Sequence, residues 1–170
     1  MTYILYDTAL NDFYTLMQLQ KAYPVHQSLF EGTPDARLID VAPYLFLIDD
    51  EFAEKMNDPF VLLQQLVIIQ SDEEFKNLAA HLRYYIHKKV NGETFYFRFW
   101  DARVLRRFLS RSSPDELEKF FDRIDAFFVG QDDQQPATRF TIDGSDHLVS
   151  TVIDPETLSA FRKRSTTTVN

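Results

Sequence analysis

Side chains able to do covalent or metal chemistry are few in this chain, and their spacing argues against such chemistry. Cysteine is absent, which removes thiol nucleophiles, Cys-based zinc sites and disulfides. The four histidines are His26, His81, His87 and His147. None stands in a His-Glu-x-x-His pattern, and no pair has convincing metal-ligand spacing. His81 falls on an amphipathic helix, where an interior or interface hydrogen bond is the expected role. The runs Asp49-Asp50-Glu51 and Asp132-Asp133 have the composition of a metal or acid/base pair, but a helix start and a solvated linker account for them better. All four glycines have turn or strand-end positions: Gly32, Gly92, Gly130 and Gly144. None is left for a phosphate-cradling loop, and no Gly-x-Ser-x-Gly nucleophile elbow occurs. The sequence therefore calls for no cofactor and no metal, and an enzyme has no positive feature in it.

Non-covalent chemistry is better represented. Arg103, Arg106, Arg107 and Arg111 recur at i, i+3, i+4 and i+8, a basic stripe along one helix. It reads either as a solvated face or as a docking stripe for an acidic partner segment. Arg98, Asp101 and Arg103 form a polar group that reads either as a network shaping a partner surface or as a structural one. Asp101 sits where a helix N-cap belongs, and arginines near strand ends find carboxylates. Tyr84, Tyr85 and Trp100 are the aromatics expected beside the stripe as partner contacts, since aromatic and Arg side chains dominate interface hot spots.

The elements that must position these residues are legible in outline. Hydrophobic residues make up 45% of the 170 positions, with 16 Phe and 8 Tyr, enough for a packed domain and too many for a disordered chain. Tyr3 to Tyr6, Gln27 to Phe30, Pro43 to Ile48, Leu66 to Ile69 and Ile124 to Val129 read as short strands. A helix is expected from about Ala9 to Lys21, with Leu10, Phe13, Tyr14 and Met17 as its inward face. Thr33 and Pro34 suggest the cap and first residue of a short helix. Ser71-Asp72-Glu73-Glu74 reads as a capping box before a helix with Phe75, Leu78, Ala79, Leu82 and Tyr85 as its apolar stripe. His87 to Val90 and Glu93 to Phe99 flank Asn91-Gly92 as a hairpin, with Phe95, Phe97 and Phe99 on one face. Asp101 and Ser113 cap the next two helices. After Gly130 a polar linker leads to a second hairpin around Asp143-Gly144, then a terminal helix from Asp154. Residues 1–130 are thus expected as a core domain and 131–170 as a small appendage. The fold class is α/β or α+β, with a mixed sheet flanked by helices.

Charge narrows the partners. The net charge is −8, but residues 1–80 carry 4 basic and 13 acidic side chains while residues 81–125 carry 10 basic and 7 acidic. An acidic chain is a poor nucleic-acid binder, yet a bipolar one offers a local basic face to an acidic protein. The N-terminus lacks a basic n-region and a long apolar run. The longest apolar stretches are strand-sized, well below the roughly 20 residues of a membrane span. A soluble cytoplasmic protein is the expectation.

Three segments carry a family resemblance. Ser28-Leu29-Phe30-Glu31-Gly32-Thr33-Pro34, followed by Ala42-Pro43-Tyr44-Leu45, is similar to an aromatic-Glu-Gly-Thr patch and a Pro-aromatic-Leu strand start. His81-Leu82-Arg83 closes the amphipathic helix. Phe97-Arg98-Phe99-Trp100-Asp101-Ala102-Arg103-Val104-Leu105 resembles a Phe-Arg-Phe-Tyr-Asp-Pro-Arg-Val-Leu segment. Together, from Tyr3 to about Val129, they resemble the type VI secretion effector chaperones, or adaptors, of Gram-negative bacteria. Trp100 replaces the usual Tyr and Ala102 the usual Pro. The second change falls at a first helical position, where Pro is favoured but not required. Many members of that family have a large variable C-terminal lobe, and only about 40 residues follow Val129 here. The resemblance implies a non-enzymatic cytoplasmic protein whose partners are an effector and the valine-glycine-repeat spike protein (VgrG), with no nucleic acid and no membrane. It marks Phe30, Glu31, Gly32, Thr33, His81, Arg83, Arg98, Asp101 and Arg103 as its structural motif. A small enzyme of another class, and a nucleic-acid-binding regulator, are the alternatives. The sequence carries no signal for oligomeric state.

Overall fold

The computed structural model describes residues 1–48, 67–90, 93–130 and 137–153. In chain order its elements are β1 (Thr2–Asp7), α1 (Phe13–Ala22), β2 (His26–Ser28), a 3-10 turn (Ile39–Val41), β3 (Pro43–Ile48), β4 (Val67–Gln70), α2 (Phe75–Ile86), β5 (His87–Val90), β6 (Glu93–Tyr96), α3 (Ala102–Leu109), α4 (Pro114–Phe121), β7 (Ala126–Val129), β8 (Thr138–Ile142) and β9 (Leu148–Val152). Seven strands form one sheet in the order β2-β3-β1-β4-β7-β8-β9, and β5 and β6 form a separate ribbon.

β1 lies inside the sheet, between β3 and β4, and every side chain from Tyr3 to Tyr6 is apolar or aromatic and fully buried. A continuous apolar run of this length suits a strand covered on both faces. Tyr3, Leu5, Val67, Ile69 and Phe127 point to one face, where α2, α3 and α4 contribute Leu82, Leu105 and Phe120. Ile4, Tyr6, Phe46 and Ile68 point to the other, where α1 contributes Leu16 and Leu19. Phe120 is the hub of the first core. Its ring stacks on Phe127 at 5.2 Å and meets Tyr85, Phe97, Phe99, Phe108 and Phe121 at centroid distances of 4.9 to 6.3 Å.

The α-plus-β class stands as read. The sheet is antiparallel in every described pairing, however, where a mixed one was expected. α1 joins β1 to β2, which run the same way because each pairs antiparallel with β3 between them, whereas α2, α3 and α4 all lie between β4 and β7, which are antiparallel neighbours. The second hairpin forms as β8 and β9 and extends the same sheet from β7. Its turn is held by Asp143, whose carboxylate accepts from Ser145 N at 2.8 Å and His147 N at 3.0 Å. These backbone donors hold that carboxyl below the usual carboxylate range. The left-handed residue there is Asp146, at φ 61°, rather than Gly144.

Caps differ in instructive ways. Ser113 and Glu116 form the reciprocal capping box of α4, and Asp101 caps α3. α1 starts later than expected, at Phe13, because Asp12 caps it through Thr15 N at 2.8 Å. The box expected at Ser71 does not form. Glu74 occupies the N-cap of α2 without a side-chain bond, and buried Ser71 instead donates to the Arg123 carbonyl and accepts from Glu73 N. Thr33 closes turns and no helix follows it. β6 ends at Tyr96, so the expected all-Phe face divides: Phe95 is half exposed and Phe99 fully buried. Asp49-Asp50-Glu51, the Asn91-Gly92 turn, the 131–136 linker and the helix expected from Asp154 lie outside the described residues.

Candidate interaction site

The first and third motif segments, far apart in sequence, meet in space. Phe30, fully buried in the turn after β2, packs edge-on against Trp100 at 5.8 Å and Tyr96 at 6.2 Å. Arg98 donates from Nη2 to Asp7 Oδ2 at 2.7 Å, across 91 residues of chain. Asp7 is fully buried at the end of β1 and also accepts from Ala9 N at 2.9 Å. His87 Nε2 lies 2.7 Å from Asp35 Oδ2, and its ring packs edge-on to Tyr96 at 5.5 Å. Partial burial first, then the Asp35 carboxylate, pushes the Tyr96 phenol up to about 12, so it stays protonated.

The turn that presents Phe30 is locked by its own residues. Gly32 takes φ +75°, a left-handed conformation in which a Cβ is strained. The Thr33 hydroxyl donates to the Phe30 carbonyl at 2.7 Å and accepts from Asp35 N at 3.2 Å. Glu31 is exposed and accepts from Gln27 Nε2 at 2.9 Å. The motif is thus a knot that ties β1, the turn after β2, the β5–β6 ribbon and the entry to α3. Its Asp35–His87 pair could orient an imidazole for proton transfer. Among the described residues no hydroxyl is hydrogen-bonded to that ring.

The residues expected to touch a partner divide in two. Trp100 and Tyr85 are corrections, since they are 1% and 7% exposed. Trp100 is enclosed by Phe30, Tyr96 and Phe99. Tyr85 donates to the Lys119 carbonyl at 2.7 Å and packs on Phe120. Tyr84, one position along, is 79% exposed. The arginine stripe divides likewise. Arg103 grips Asp101 with Nε at 3.0 Å and Nη2 at 2.7 Å. Arg106 donates to Thr138 Oγ1 and to the Val129 and Gly130 carbonyls, fastening α3 to β7 and β8. Arg107 and Arg111 are exposed and have no ion pair among the described residues. In the remaining motif positions, His81 Nε2 is 3.0 Å from the Phe120 carbonyl, a contact in which the ring nitrogen must donate. Arg83 is half-buried, and its Nε and Nη2 have no hydrogen-bond partner among the described residues.

Burial would push the Asp101 carboxyl up. The hydrogen bonds from the Arg103 guanidinium and backbone, with the guanidinium charge, outweigh it and hold the group below its usual value.

The sequence pointed one exposed apolar stripe the wrong way. Leu10, Phe13, Tyr14 and Met17 were expected to face the core, yet Phe13 and Tyr14 are 68% and 70% exposed, and Leu10 and Met17 about half. α1 buries Leu16 and Leu19 instead, with Tyr23 just beyond its end. The helix has two apolar stripes, and a single sheet face covers only one. Near the end of α1 a shallow hollow of about 410 Å³ is lined by Met1, Ala22, Tyr23, Val25, Leu47 and Ile48. No motif residue lines it. Among the described residues no helix is long and apolar enough to cross a membrane.

No curated protein and no solved structure matches the chain. A family model does, over residues 2–119, described as a domain of unknown function, DUF4123. The chain belongs to that family.

Proposed function

We propose that this DUF4123 protein is a non-enzymatic adaptor that binds a type VI secretion effector in the bacterial cytoplasm and mediates its loading onto the VgrG spike. The observation that carries the reading is the family match over residues 2–119, which spans all three motif segments. Two surface features support it. The exposed apolar side chains of α1, Phe13, Tyr14 and Met17, with Leu10 in the turn before it, are the kind of surface that marks a protein contact. Exposed Arg107 and Arg111 offer charge to an acidic partner segment from a chain whose net charge is −8. Such a protein acts by stoichiometric binding, so its surface, and not a reactive cleft, does the work.

The test is co-expression of the tagged chain with the effector and spike encoded beside it. Equimolar co-elution with the effector is expected, together with loss of that effector's delivery when the chain is deleted, other effectors being unaffected. A chain that co-elutes with neither protein, and whose deletion leaves delivery intact, overturns the proposal.

A further inference from the structure

We infer that the outer edge of β9 is a strand acceptor for an extended, uncharged segment of another protein that carries basic residues at one end. β9 is the last strand of the sheet and pairs only with β8 among the described residues. The register and two backbone bonds fix which of its groups face away from β8. Asp143 N donates to His147 O at 3.0 Å and Ile153 N to Ala137 O at 2.8 Å. In an antiparallel pair, hydrogen-bonded and non-bonded residue pairs alternate. The bonded pairs are therefore Thr141 with Val149 and Arg139 with Thr151, and the non-bonded ones hold Leu148, Ser150 and Val152. Those three residues turn their N–H and C=O groups outward, a ready ladder for one more strand.

Natural proteins blunt such edges with lysines, prolines, bulges or very short strands. The opposite edge of this sheet follows that rule, because β2 has only three residues. β9 does not: Leu148-Val149-Ser150-Thr151-Val152 has no charge and no proline. Val149 and Val152, on opposite faces of the strand, are 41% and 64% exposed. An incoming strand gains main-chain hydrogen bonds from the edge and side-chain contact with the two valines.

Charge selects the occupant. Pairing with a second copy would bring together two chains of −8 each. Five paired residues also bury far less than the roughly 1,000 Å² of a stable interface. At the turn end of the edge stands exposed Asp143, held ionised by its backbone donors, with Asp146 beside it. A partner segment with lysine or arginine at that end complements them. The inference holds whether or not the partner is a secretion effector.

The probe is a fluorescent peptide of alternating valine and threonine with two lysines at one end, titrated into the full chain and followed by anisotropy. Saturable binding is expected. The same peptide with alternate amides N-methylated, and one with glutamates for lysines, should each bind at least tenfold more weakly. Ser150→Pro removes an outward N–H without touching the β8 ladder, and should weaken the lysine peptide tenfold with an unchanged melting temperature. Absence of binding, or equal binding of the N-methylated peptide, overturns the inference, and neither result depends on a variant that folds. It is also overturned by slow hydrogen exchange at Leu148, Ser150 and Val152 in the free chain, which would mean that the chain covers its own edge. A dimer that Ser150→Pro dissolves overturns the choice of partner.

Discussion

Asp101 joins two jobs in one carboxylate. It accepts from Arg103 N at 3.0 Å to cap α3, and it takes a two-pronged contact from the Arg103 guanidinium. Loss of an Asp cap costs about 1 kcal/mol, and the charge-assisted bonds add to it. Asp101→Ala is therefore expected to lower stability by ~1–2 kcal/mol, a fall of roughly 2–4 °C in melting temperature per kcal/mol for a chain of this size. Thermal denaturation at neutral pH measures it. The pH dependence has a definite sign. The folded carboxyl titrates below its unfolded value of about 4, so its contribution is complete above that value and is lost as pH falls through the lower folded one. Wild type and Asp101→Ala should then converge in stability as pH drops below about 4; a constant gap would count against the carboxylate as the source. The cap was legible in the sequence because it is local: an Asp stands directly before an amphipathic run. The Arg98–Asp7 pair was not, since 91 residues separate its partners. Trp100 misled for a related reason, because an aromatic next to polar residues looks the same whether its ring faces solvent or, as here, Phe30 and Tyr96.

At the scale of elements, periodicity located helices better than it oriented them. α2 buries Leu78, Ala79, Leu82 and Tyr85 of the stripe it announced and partly buries Phe75. α1 does the reverse. Leu10, Phe13, Tyr14 and Met17 obey the helical repeat as well as Leu16, Leu19 and Tyr23 do, and a 3.6-residue period carries no information about which of two apolar stripes meets the sheet. The two stripes should separate stability from binding. Leu19 is fully buried, and Leu19→Ala is expected to cost ~2–5 kcal/mol in transfer and cavity terms. Phe13→Ser with Tyr14→Ser removes rings that already face water and should leave the melting temperature within a few degrees. On the adaptor reading the double variant lowers partner affinity at least tenfold in a pull-down or titration. A double variant that unfolds, or that binds as wild type does, would remove α1 as a docking face. β6 teaches the same lesson for sheets. Alternating Phe residues fit a half-buried strand, yet the chain leaves the ribbon after Tyr96 to tie Arg98 to Asp7.

For the whole molecule, class and rough order of elements were readable, while strand order was not, because it is set by pairings between distant segments. β4 and β7 are neighbours although two strands and three helices lie between them in the chain. That arrangement brings α3 beside β7 and β8, where Arg106 fastens it and leaves Arg107 and Arg111 to solvent. Arg107 and Arg111 are thereby two exposed cations of the basic stretch 81–125 on an acidic protein. On the adaptor reading such a pair steers an acidic partner. Arg107→Glu with Arg111→Glu should consequently weaken binding of an acidic effector or spike segment by ~10-fold at 0.05 M salt. Fast screening of exposed charges, with a Debye length that shrinks to about 4 Å near 0.5 M, should cut that difference to about twofold at high salt. Calorimetric titration at the two salt concentrations reads both quantities. A nucleic-acid-binding protein would instead show wild-type affinity for duplex DNA that falls steeply with salt. Equal affinity of wild type and the double variant at low salt would leave the arginines as a solvated face, and the apolar stripe of α1 as the surface on which docking depends.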